Sequence, residues 1–586
     1  MIPRTRGPID ADIMIVGEAW GVDEERQGAP FKGNSGKELD SILKEAGIDP
    51  DACFFTCVIN KRPPQGSMEN FLILTKAAKT AGLPSYKGLY PNEHLMQGII
   101  QLKETIEQVK PKIIIALGNY ALWALTGEGK IVRSKKPPGY NLPSGIVQFR
   151  GSQLTTEEGI PVLATHHPSS VLRNWAWRSL TVHDLRARVP RALEGNWLEP
   201  DRDYTIRPSL DAVMEILTDL HLRAEQSVRA PLLLACDIET QTIYYTPEDQ
   251  KQKANPQQIP LRLIECVGIA WSSTHALCIP LMYNEGSYWS AEEEILIMQT
   301  LQTIMEHPNI QIVGQNFFFD HQYFYYYNLI KANYKHDTML AHHVCYPGTP
   351  MGLDHLSSMY CYFHRYWKED GKEASKNHNN EQRWTYNCRD CVVTYEVMET
   401  MWSVLTYLDR EWQYALQMKR ANAAIKMMNK GVLIDRKRKS QELVTHMEAS
   451  DSLAYRIDTL LPQSLWVRDP KKAPWYRSPH QLKEIFYDVL GMEEILDRTT
   501  RSPTINDDAL NKISLREPAL RPLCNLLQQY RSLETFGSFV KMRIAPDNRI
   551  RATFSPTTET FRYRSSEDVF GYGRNLQNIP KGSEDA

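Results

Sequence analysis

Apolar runs alternate with amphipathic segments along the first third of the chain. Short runs such as DIMIVG, KIIIALG and PVLAT are separated by segments with helical spacing, among them GKELDSILKEAG. Strands that are covered on both faces have continuous apolar sequences, and parallel strands need crossover helices between them. The pattern therefore predicts a three-layer α/β domain over residues 1–197, built on a parallel sheet whose ligands bind beyond the carboxyl ends of the strands.

The next block, residues 200–404, repeats strand and helix patterns. GNWLEPDRDYTIRPS predicts a linker and a short strand, followed by a helix that begins after Ser209. PLLLACDIET predicts a buried strand, and RDCVVTYEVMETMWSVL predicts a closing helix. Residues from 405 onwards have mostly helical patterns. The whole chain is therefore predicted to be a multidomain α/β protein with a helical third part.

Charge changes this picture only locally. The 586 residues carry a formal net charge of −2, and 42% of them are apolar, which is typical of a globular protein and excludes binding to nucleic acid through overall positive charge. Between Lys419 and Lys439, however, eight Lys or Arg accompany a single acid, Asp435. A nucleic-acid surface is expected in this stretch.

The sequence has no pattern typical of secretion or membrane insertion. Its first residues include acids and only a short apolar run, and no stretch reaches the ~18 apolar residues of a membrane span. Ten scattered cysteines do not form a disulfide framework. We expect a cytoplasmic protein, in the host cytoplasm if the chain is viral, with no membrane partner.

Acidic side chains in the second block have a spacing that predicts chemistry. Asp237 and Glu239 are two residues apart at the end of an apolar strand, so they project from the same face. Asp320 follows a second strand-like run, and Asp390 comes four residues after Tyr386 on a helix, one turn away. Such an oxygen-rich set suits two divalent ions, Mg²⁺ or Mn²⁺, about 3.5–4 Å apart on a phosphodiester. The predicted reaction is phosphodiester hydrolysis.

The order D-x-E, N-x-x-x-D and Y-x-x-x-D resembles the three motifs of DnaQ-like proofreading 3′–5′ exonucleases. The resemblance spans most of the second block and implies a ribonuclease H-like α/β fold. It also implies that Asp237, Glu239 and Asp390 hold the catalytic metals. In the same pattern, Asp320 supports the second metal and Tyr386 orients the attacking water.

Two other clusters in this block resemble metal sites less closely. Cys388 and Cys391 form a Cys-x-x-Cys pair with no second pair at usable spacing. His342, His343 and Cys345 form an isolated cluster. We expect both sets to be packed in the core.

The third block contains, in order, RANAAIKMMNKGVLID, YRSPHQLKEIFYDVLGM, LLQQYRSLETFGSFV and RATFSPTTETFRYRSSEDVFGYGRNLQNIP. This series resembles the thumb and first palm segment of family A DNA polymerases, which implies a thumb over 405–548 and the start of a palm over 549–586. Basic and amide side chains there are expected to contact the phosphates and base edges of a primer–template. The predicted DNA-binding residues are Lys419, Arg420, Lys426, Lys430, Arg436, Arg562, Asn575 and Gln577.

The Arg-Asn-Leu-Gln-Asn-Ile-Pro run, which ends at Pro580, predicts an extended, backbone-binding loop that leads into a strand. In that family the nucleotide-binding residues of the palm and fingers follow this segment, and the 586 residues do not include them. We therefore expect polymerase activity only with an added palm and fingers. Either the gene is split and a separate polypeptide supplies them, or the sequence is a fragment. The expected DNA partners are primer–template duplexes and single-stranded 3′ ends.

The first block contains GEAWGVDEERQGAPFKG, TCVINKRPPQG and ATHHPSSVLRN, which resemble the family 4 uracil-DNA glycosylases. The resemblance implies a base-flipping pocket. Glu18 lies near a strand end in it, Phe31 stacks on the extruded base, and His167 stabilises charge on the leaving uracil. Cys57 and Ser169 complete the implied pocket.

Two departures from this family change the expected function. The Asn that reads uracil falls at Cys57, and a thiol cannot supply the paired donor and acceptor of an amide. The family's iron–sulfur cluster needs four cysteines, whereas this block has only Cys53 and Cys57, so no cluster is expected. The first block is therefore open to two interpretations, an active glycosylase or a DNA-binding module that has lost the reaction.

Together these patterns predict the N-terminal part of a family A DNA polymerase of the bacteriophage type, used in DNA replication, with an active proofreading exonuclease. Two alternatives remain. One is a stand-alone DNA exonuclease whose third block only grips DNA, and the other is a non-catalytic scaffold of a split polymerase. The intact carboxylate set argues against the scaffold.

Overall fold

The computed structural model describes residues 5–135, 137–227, 230–244, 246, 260–283, 286–465 and 474–578. The chain divides into two compact units. The first comprises Met1–Thr242 and Arg262–Lys419, and the second comprises Ile243–Leu261 and Arg420–Ala586.

The first unit begins with a five-stranded sheet of order β2-β1-β3-β7-β6. All neighbours are parallel except the edge strand β6, which runs antiparallel to β7. The strands of this region are β1 (Ile13–Ala19), β2 (Cys53–Ile59), β3 (Ile113–Leu117), β4 (Lys130–Arg133), β5 (Asn141–Ser144), β6 (Gln153–Thr155) and β7 (Pro161–Thr165). Its helices are α1 (Val22–Gln27), α2 (Asn34–Glu45), α3 (Thr75–Thr80), α4 (Glu93–Val109), α5 (Asn119–Thr126), α6 (Ile146–Phe149), α7 (Pro168–Arg173) and α8 (Trp177–Leu193).

Helices cover both faces of this sheet because alternate strand residues point to opposite sides. Ile113 and Ile115 of β3 pack in one apolar cluster with α2 and α8. Ile114 and Ala116 of the same strand pack in another cluster with α4 and α5. The three layers predicted from the continuous apolar runs are therefore present.

A second sheet in the same unit has the order β15-β14-β9-β10-β11-β8. β14 is parallel to β9 and β15, and β11 is parallel to β8 and antiparallel to β10. The strands are β8 (Asp203–Thr205), β9 (Leu232–Ile243), β10 (Leu261–Ala270), β11 (His275–Pro280), β12 (Met282–Tyr283), β13 (Gly286–Ser287), β14 (Ile310–Gly314) and β15 (Tyr334–Asp337). The helices are α9 (Leu210–Gln226), α10 (Ala291–Met305), α11 (Phe318–Asn328), α12 (Thr338–Cys345), α13 (Leu353–Tyr360), α14 (Lys368–Lys376) and α15 (Asn380–Tyr407).

Two local features of this sheet bear on the predictions. The Ser209 side chain accepts a hydrogen bond from the backbone N–H of Ala212, so α9 begins where the sequence predicts. β9 is longer than predicted, and Asp237 and Glu239 lie within it rather than at its end. β14 pairs only with the first residues of β9, from Leu232 to Ala235, and β10 borders the other edge of β9.

A close approach places α15 on the sheet. A Cβ added to Gly268 of β10 would lie 2.4 Å from Oδ1 of Asn387 and 2.6 Å from Sγ of Cys391. Only glycine leaves room for this contact. The half of α15 that carries the predicted Tyr-x-x-x-Asp pair therefore packs directly against the strands.

Helix α16 (Glu411–Lys430) contains the boundary between the two units. The second unit is mostly helical, with a core that includes Ile457, Phe486, Leu510 and Leu527. Its elements are β16 (Val432–Leu433), α17 (Arg436–Leu460), α18 (Pro479–Lys483), a π-helix (Glu484–Val489), α19 (Asp507–Arg516), α20 (Arg521–Val540), β17 (Arg549–Ile550), β18 (Ala552–Ser555) and β19 (Arg564–Glu567).

The predicted class, two α/β regions followed by a mostly helical one, is confirmed. The Arg-Asn-Leu-Gln-Asn-Ile-Pro segment is not fully extended as predicted, because Leu576–Asn578 form a turn of 3₁₀ helix. The strand expected after Pro580 lies outside the described residues.

Candidate active site

Three carboxylates converge where α15 crosses β9. One oxygen each of Asp237, Glu239 and Asp390 lies within 4.8 Å of the others. Side chains two residues apart on a strand point to the same face, so Asp237 and Glu239 lie side by side. Asp390, the third acid, comes from α15, which packs on that face. Close carboxylates with oxygen ligands form the donor set that hard divalent cations prefer, so these residues fit a metal site.

Asp320 lies beside this group but is not one of the three. It occupies the first turn of α11, and its Oδ1 accepts a hydrogen bond of 2.9 Å from the backbone N–H of Ile238. Ile238 is the residue between the two acids of β9. Asp320 is thus tied to the strand that carries the site, with one oxygen committed to the backbone.

Burial and the repulsion of neighbouring carboxylates make Asp237, Glu239 and Asp320 hard to ionise without a cation. Burial is the largest cause of the raised pKa of Asp237, and the neighbouring Asp320, Asp390 and Glu239 add to it. Burial also raises the pKa of Glu239 to about 7 and that of Asp320 to about 7. A bound cation stabilises the ionised carboxylates, so a group of such acids favours the binding of a metal ion.

Side chains of α15 that were not predicted contact the same acids. Nη2 of Arg383 lies 3.0 Å from Oε2 of Glu239, and Nδ2 of Asn387 donates to Oδ2 of Asp237 at 3.0 Å. Arg383 and Asn387 precede Asp390 by seven and three residues, so they lie on the same helical face. Helical periodicity is a signal by which these two residues could have been found.

A second pair of unpredicted contacts comes from the start of α14. Nε1 of Trp367 donates to Oδ1 of Asp390 at 2.7 Å, and Nζ of Lys368 lies 2.6 Å from its Oδ2. The same ammonium donates to the Tyr386 hydroxyl at 3.0 Å. Trp367 and Lys368 share no spacing with the acids, and no sequence signal indicated them.

The residues of the predicted glycosylase pocket come from four places in the chain: Glu18 near the end of β1, Phe31 between α1 and α2, Cys57 within β2, and His167 and Ser169 just after β7. Glu18, near the end of β1, is held by the backbone N–H groups of Tyr120, at 3.1 Å, and Asn119. Burial raises the pKa of Glu18, and these hydrogen bonds oppose the shift. The carboxyl group is thus engaged by the start of α5.

Phe31 and His167 face each other across this region. Phe31 has a φ of 55°, and its ring centroid is 6.1 Å from that of His167. Nδ1 of His167 accepts from the backbone N–H of Ser169 at 3.2 Å and lies 2.8 Å from its Oγ. Burial lowers the pKa of His167 to about 4, so its imidazole is neutral at pH 7.

Cys57 occupies the place of the uracil-reading amide in the family pattern, and its side chain is buried. The nearest amide in sequence, Asn60, does not replace it. Oδ1 of Asn60 accepts from Nε1 of Trp20 and from the backbone N–H of Cys57, both at 3.1 Å, and its Nδ2 donates to Thr56 at 3.0 Å. The Asn60 amide is therefore used by the protein itself.

Four of the predicted DNA-binding cations on α16 and α17 are exposed: Lys419, Lys426, Lys430 and Arg436. Arg420 is different, because its guanidinium lies 4.8 Å from the centre of the Tyr563 ring and donates to the carbonyl of Phe561. It is committed to an internal contact.

The remaining predicted DNA-binding residues lie near β19. Arg562 is exposed. Oδ1 of Asn575 accepts from the backbone N–H of Gln577 at 3.0 Å, and Nε2 of Gln577 donates to the carbonyl of Tyr563 at 3.0 Å. The two amides thus stabilise their own loop.

The other clusters behave as packed side chains. Cys388 and Cys391 are buried in the core, as predicted, and His342 contacts the hydroxyls of Tyr360, at 2.6 Å, and Thr349, at 2.8 Å. His343 is also buried, and Cys345 is partly so.

A further group, His221, Glu225 and His307, also has metal-like spacing. Nδ1 of His307 accepts from the backbone N–H of Asn309, so its Nε2 carries the proton shared with Glu225 and is not a free metal ligand. Within the described part of the chain, no helix is long and apolar enough to cross a membrane.

Asp237, Glu239, Asp320 and Asp390 are here named the carboxylate cage. Matches to two known families indicate that the chain is a nucleic-acid-processing enzyme with two modules. Residues 5–186 match the uracil DNA glycosylase superfamily, and residues 260–406 match a 3′–5′ exonuclease family of DNA polymerase A type. The type-4 uracil-DNA glycosylase of Thermotoga maritima is 30% identical over 168 residues, which cover 29% of this chain and 70% of that protein. The N-terminal part of the chain belongs to this glycosylase family.

The whole chain is similar to a phage polymerase. The DNA polymerase of Bacillus phage SP01 is 22% identical over 99% of this chain, which spans 64% of the length of that polymerase. The POL domain of Pol1 from M. smegmatis, solved in complex with DNA primer-template and dNTP, is 17% identical with a TM-score of 0.44 and covers 65% of this chain and 57% of its own. The predicted resemblance to phage family A DNA polymerases with a glycosylase-like N-terminal domain is confirmed.

Proposed function

We propose that the second block is a metal-dependent, proofreading 3′–5′ exonuclease acting on single-stranded or frayed DNA ends within a family A polymerase used in replication. The observation that carries this proposal is the convergence of Asp237, Glu239 and Asp390 within 4.8 Å. The match of residues 260–406 to the exonuclease family supports the direction of hydrolysis.

In this proposal Asp237, Glu239 and Asp390 hold two divalent ions, Mg²⁺ or Mn²⁺, and Asp320 supports the second. Bound ions of this kind polarise a phosphoryl oxygen and lower the pKa of an attacking water. Burial raises the pKa of Tyr386, so its phenol keeps its proton and can hold the water by a hydrogen bond.

The polymerase parts of the proposal rest on similarity. We assign residues 1–197 to the glycosylase-like domain, 200–404 to the exonuclease, 405–548 to the thumb and 549–586 to the start of the palm. The exposed cations of α16 and α17 would contact duplex phosphates. Nucleotide incorporation is proposed only together with a palm and fingers, whether on the same or on a separate polypeptide.

A second proposal concerns the glycosylase-like domain. It binds DNA but excises uracil weakly or not at all, because Cys57 lacks an amide and the Asn60 amide is used internally. A pocket without the paired donor and acceptor cannot select the uracil edge.

The exonuclease proposal is tested with a 5′-labelled primer that has unpaired 3′ nucleotides, incubated with Mg²⁺. The wild-type chain is expected to shorten it stepwise from the 3′ end. Asp237→Ala is expected to lose roughly 10³-fold or more in rate, because a metal-holding carboxylate is removed. Asp219→Ala removes an exposed acid of the same domain and serves as the control. Equal rates for wild type and Asp237→Ala would refute the assignment.

A further inference from the structure

The segment of residues 358–369, here named the connecting segment, leads from the end of α13 into α14 and is held by the glycosylase-like domain. Arg188 of α8 is 1% exposed. It donates to the carbonyls of Ser358, at 3.0 Å, Cys361, at 3.1 Å, and Tyr362. A buried guanidinium with these backbone acceptors fixes the path of the segment.

Further contacts follow along the same segment. The backbone N–H of Gln153 donates to the carbonyl of His364 at 2.7 Å, and the N–H of Tyr366 donates to Oγ of Ser152 at 3.2 Å. The Tyr366 ring lies 5.0 Å from the Phe149 ring and belongs to the apolar core of the glycosylase-like domain. The connecting segment is thus built into that domain up to Tyr366.

The next two residues reach the exonuclease site. Trp367 and Lys368 occupy one oxygen each of Asp390, and Lys368 also donates to the Tyr386 hydroxyl. Tyr366, which packs in the glycosylase-like domain, lies only two residues before Lys368, which donates hydrogen bonds in the exonuclease site. Little freedom of the backbone remains between the two anchors.

Helix α14 is fixed in the same way. A Cβ on Gly371 would lie 2.6 Å from the Tyr386 ring, so the helix backbone packs directly on the phenol. Glu369, at the other side of the turn, forms an ion pair of 2.6 Å with Lys130 of β4. Both Lys368 and the ring that it contacts are therefore held from the side of the glycosylase-like domain.

We propose that the glycosylase-like domain is a positioning element of the exonuclease site, acting through the connecting segment to hold Lys368 against Asp390 and Tyr386. The proposal rests on the exonuclease function proposed above. Lys368 has two effects with opposite signs. Its hydrogen bond fixes the Tyr386 hydroxyl, which favours hydrolysis, and its positive charge repels other cations at Asp390, which weakens metal binding.

The first experiment measures Mn²⁺ binding to the full chain from the paramagnetic resonance of free Mn²⁺, without DNA. Lys368→Met is expected to bind Mn²⁺ roughly three- to tenfold more tightly, because a neighbouring like charge is removed. In single-turnover hydrolysis at saturating Mn²⁺ the same variant is expected to be about tenfold slower, since Tyr386 loses its partner. Lys368→Arg is expected to restore both quantities in part. General damage to the fold would weaken binding as well as slow hydrolysis.

The second experiment tests the role of the glycosylase-like domain. Arg188→Ala is expected to shift both quantities in the direction of Lys368→Met, by a smaller factor. Arg178→Ala, the matched control, removes a guanidinium that contacts Glu38, Ser41, Glu45 and the Trp175 ring, all in the same domain, and is expected to change neither. Ser152→Ala, which removes a single anchor, replaces Arg188→Ala if that variant does not fold.

Unchanged or weaker Mn²⁺ binding in Lys368→Met would overturn the role of Lys368. Equal behaviour of the anchor variants and Arg178→Ala would overturn the role of the domain. If the wild-type chain does not hydrolyse DNA at all, the exonuclease proposal fails, and the Mn²⁺ measurements still decide whether the domain positions Lys368.

Discussion

The carboxylate cage and the glycosylase-like pocket lie in the same unit and on similar α/β frameworks, but the surroundings of their polar side chains differ. In the cage, acids lie close to one another, and burial together with neighbouring carboxylates raises the pKa values of Asp237, Glu239 and Asp320. In the pocket, Glu18, Asn60 and His167 have hydrogen-bond partners within the protein. The acids of the cage also have partners, but among the described residues only two cations, Arg383 and Lys368, oppose the four acids, and this excess of negative charge suits a metal ion. The polar groups of the pocket are neutralised or hydrogen-bonded within the protein and leave little for a ligand.

The largest expected effect breaks the cage. Asp390→Asn keeps the shape of the side chain but removes a charge, so we expect a loss of roughly 10³-fold in 3′–5′ hydrolysis and weaker Mn²⁺ binding. Single-turnover digestion and Mn²⁺ titration check both effects. Asp219→Ala should retain wild-type values, and retention of full activity by Asp390→Asn would contradict the proposed metal site.

The second effect would rebuild the pocket. Cys57→Asn supplies the donor and acceptor that the wild-type chain lacks, and uracil excision is expected to rise by about a hundredfold over wild type. Alkali cleavage of a uracil-containing oligonucleotide measures it. Cys57→Ser, which adds a hydroxyl without an amide, is the matched control, and strong excision by the wild-type chain would show that the reading amide is not needed.

A smaller effect concerns the pH dependence of stability in the pocket. The pKa of His167 is about 4 in the folded chain, and burial is its main cause. The ordinary value in the unfolded chain is about 6.5, so the unfolded chain binds more protons between these values, and stability is lost as pH falls through this window. From pH 7 to pH 5, His167 should account for about 2 kcal/mol of the lost free energy of unfolding.

Denaturant unfolding at the two pH values measures this share. His167→Gln does not titrate, so its stability should fall less between pH 7 and pH 5 than that of the wild type. An equal fall in both proteins would mean that His167 titrates normally and is not buried as a neutral imidazole.

The smallest effect tests the basic surface of the second unit. Lys426→Ala and Lys430→Ala each remove an exposed cation of α16, and each should lower the slope of log affinity for duplex DNA against log salt by about 1. Fluorescence anisotropy at several salt concentrations measures the slope. Lys512→Ala, an exposed lysine of α19, should leave it unchanged, and equal slopes in all three variants would place DNA elsewhere.

The sequence was informative where a feature depends on local periodicity. Alternate residues of β3 face opposite layers, and the spacings of Asp237 with Glu239 and of Tyr386 with Asp390 follow from strand and helix geometry. Features that depend on tertiary contacts were not predicted. Lys368 is brought to Asp390 by packing of the connecting segment, which no spacing encodes.

The same limit explains two differences from expectation. The extent of β9 depends on its neighbours β10 and β14, which lie far along the chain, so a pattern of apolar residues could not fix its end. Arg420 belongs to a basic run and was expected to meet DNA, but it lies over the Tyr563 ring, a contact between residues distant in sequence. A run of charged residues indicates an exposed surface, but only the three-dimensional structure shows which of its side chains are exposed and which contact the protein itself.

The contrast between the two sites is tested most directly by one reaction of the wild-type chain with two labelled DNA strands and Mg²⁺. One strand has an ordinary unpaired 3′ end, and the other contains a single uracil and a phosphorothioate-protected 3′ end. We predict stepwise shortening of the first strand, abolished by EDTA, and no alkali-sensitive scission of the second at uracil. An intact first strand, or efficient scission of the second, would contradict the proposal that the carboxylate cage is active and the glycosylase-like pocket is not.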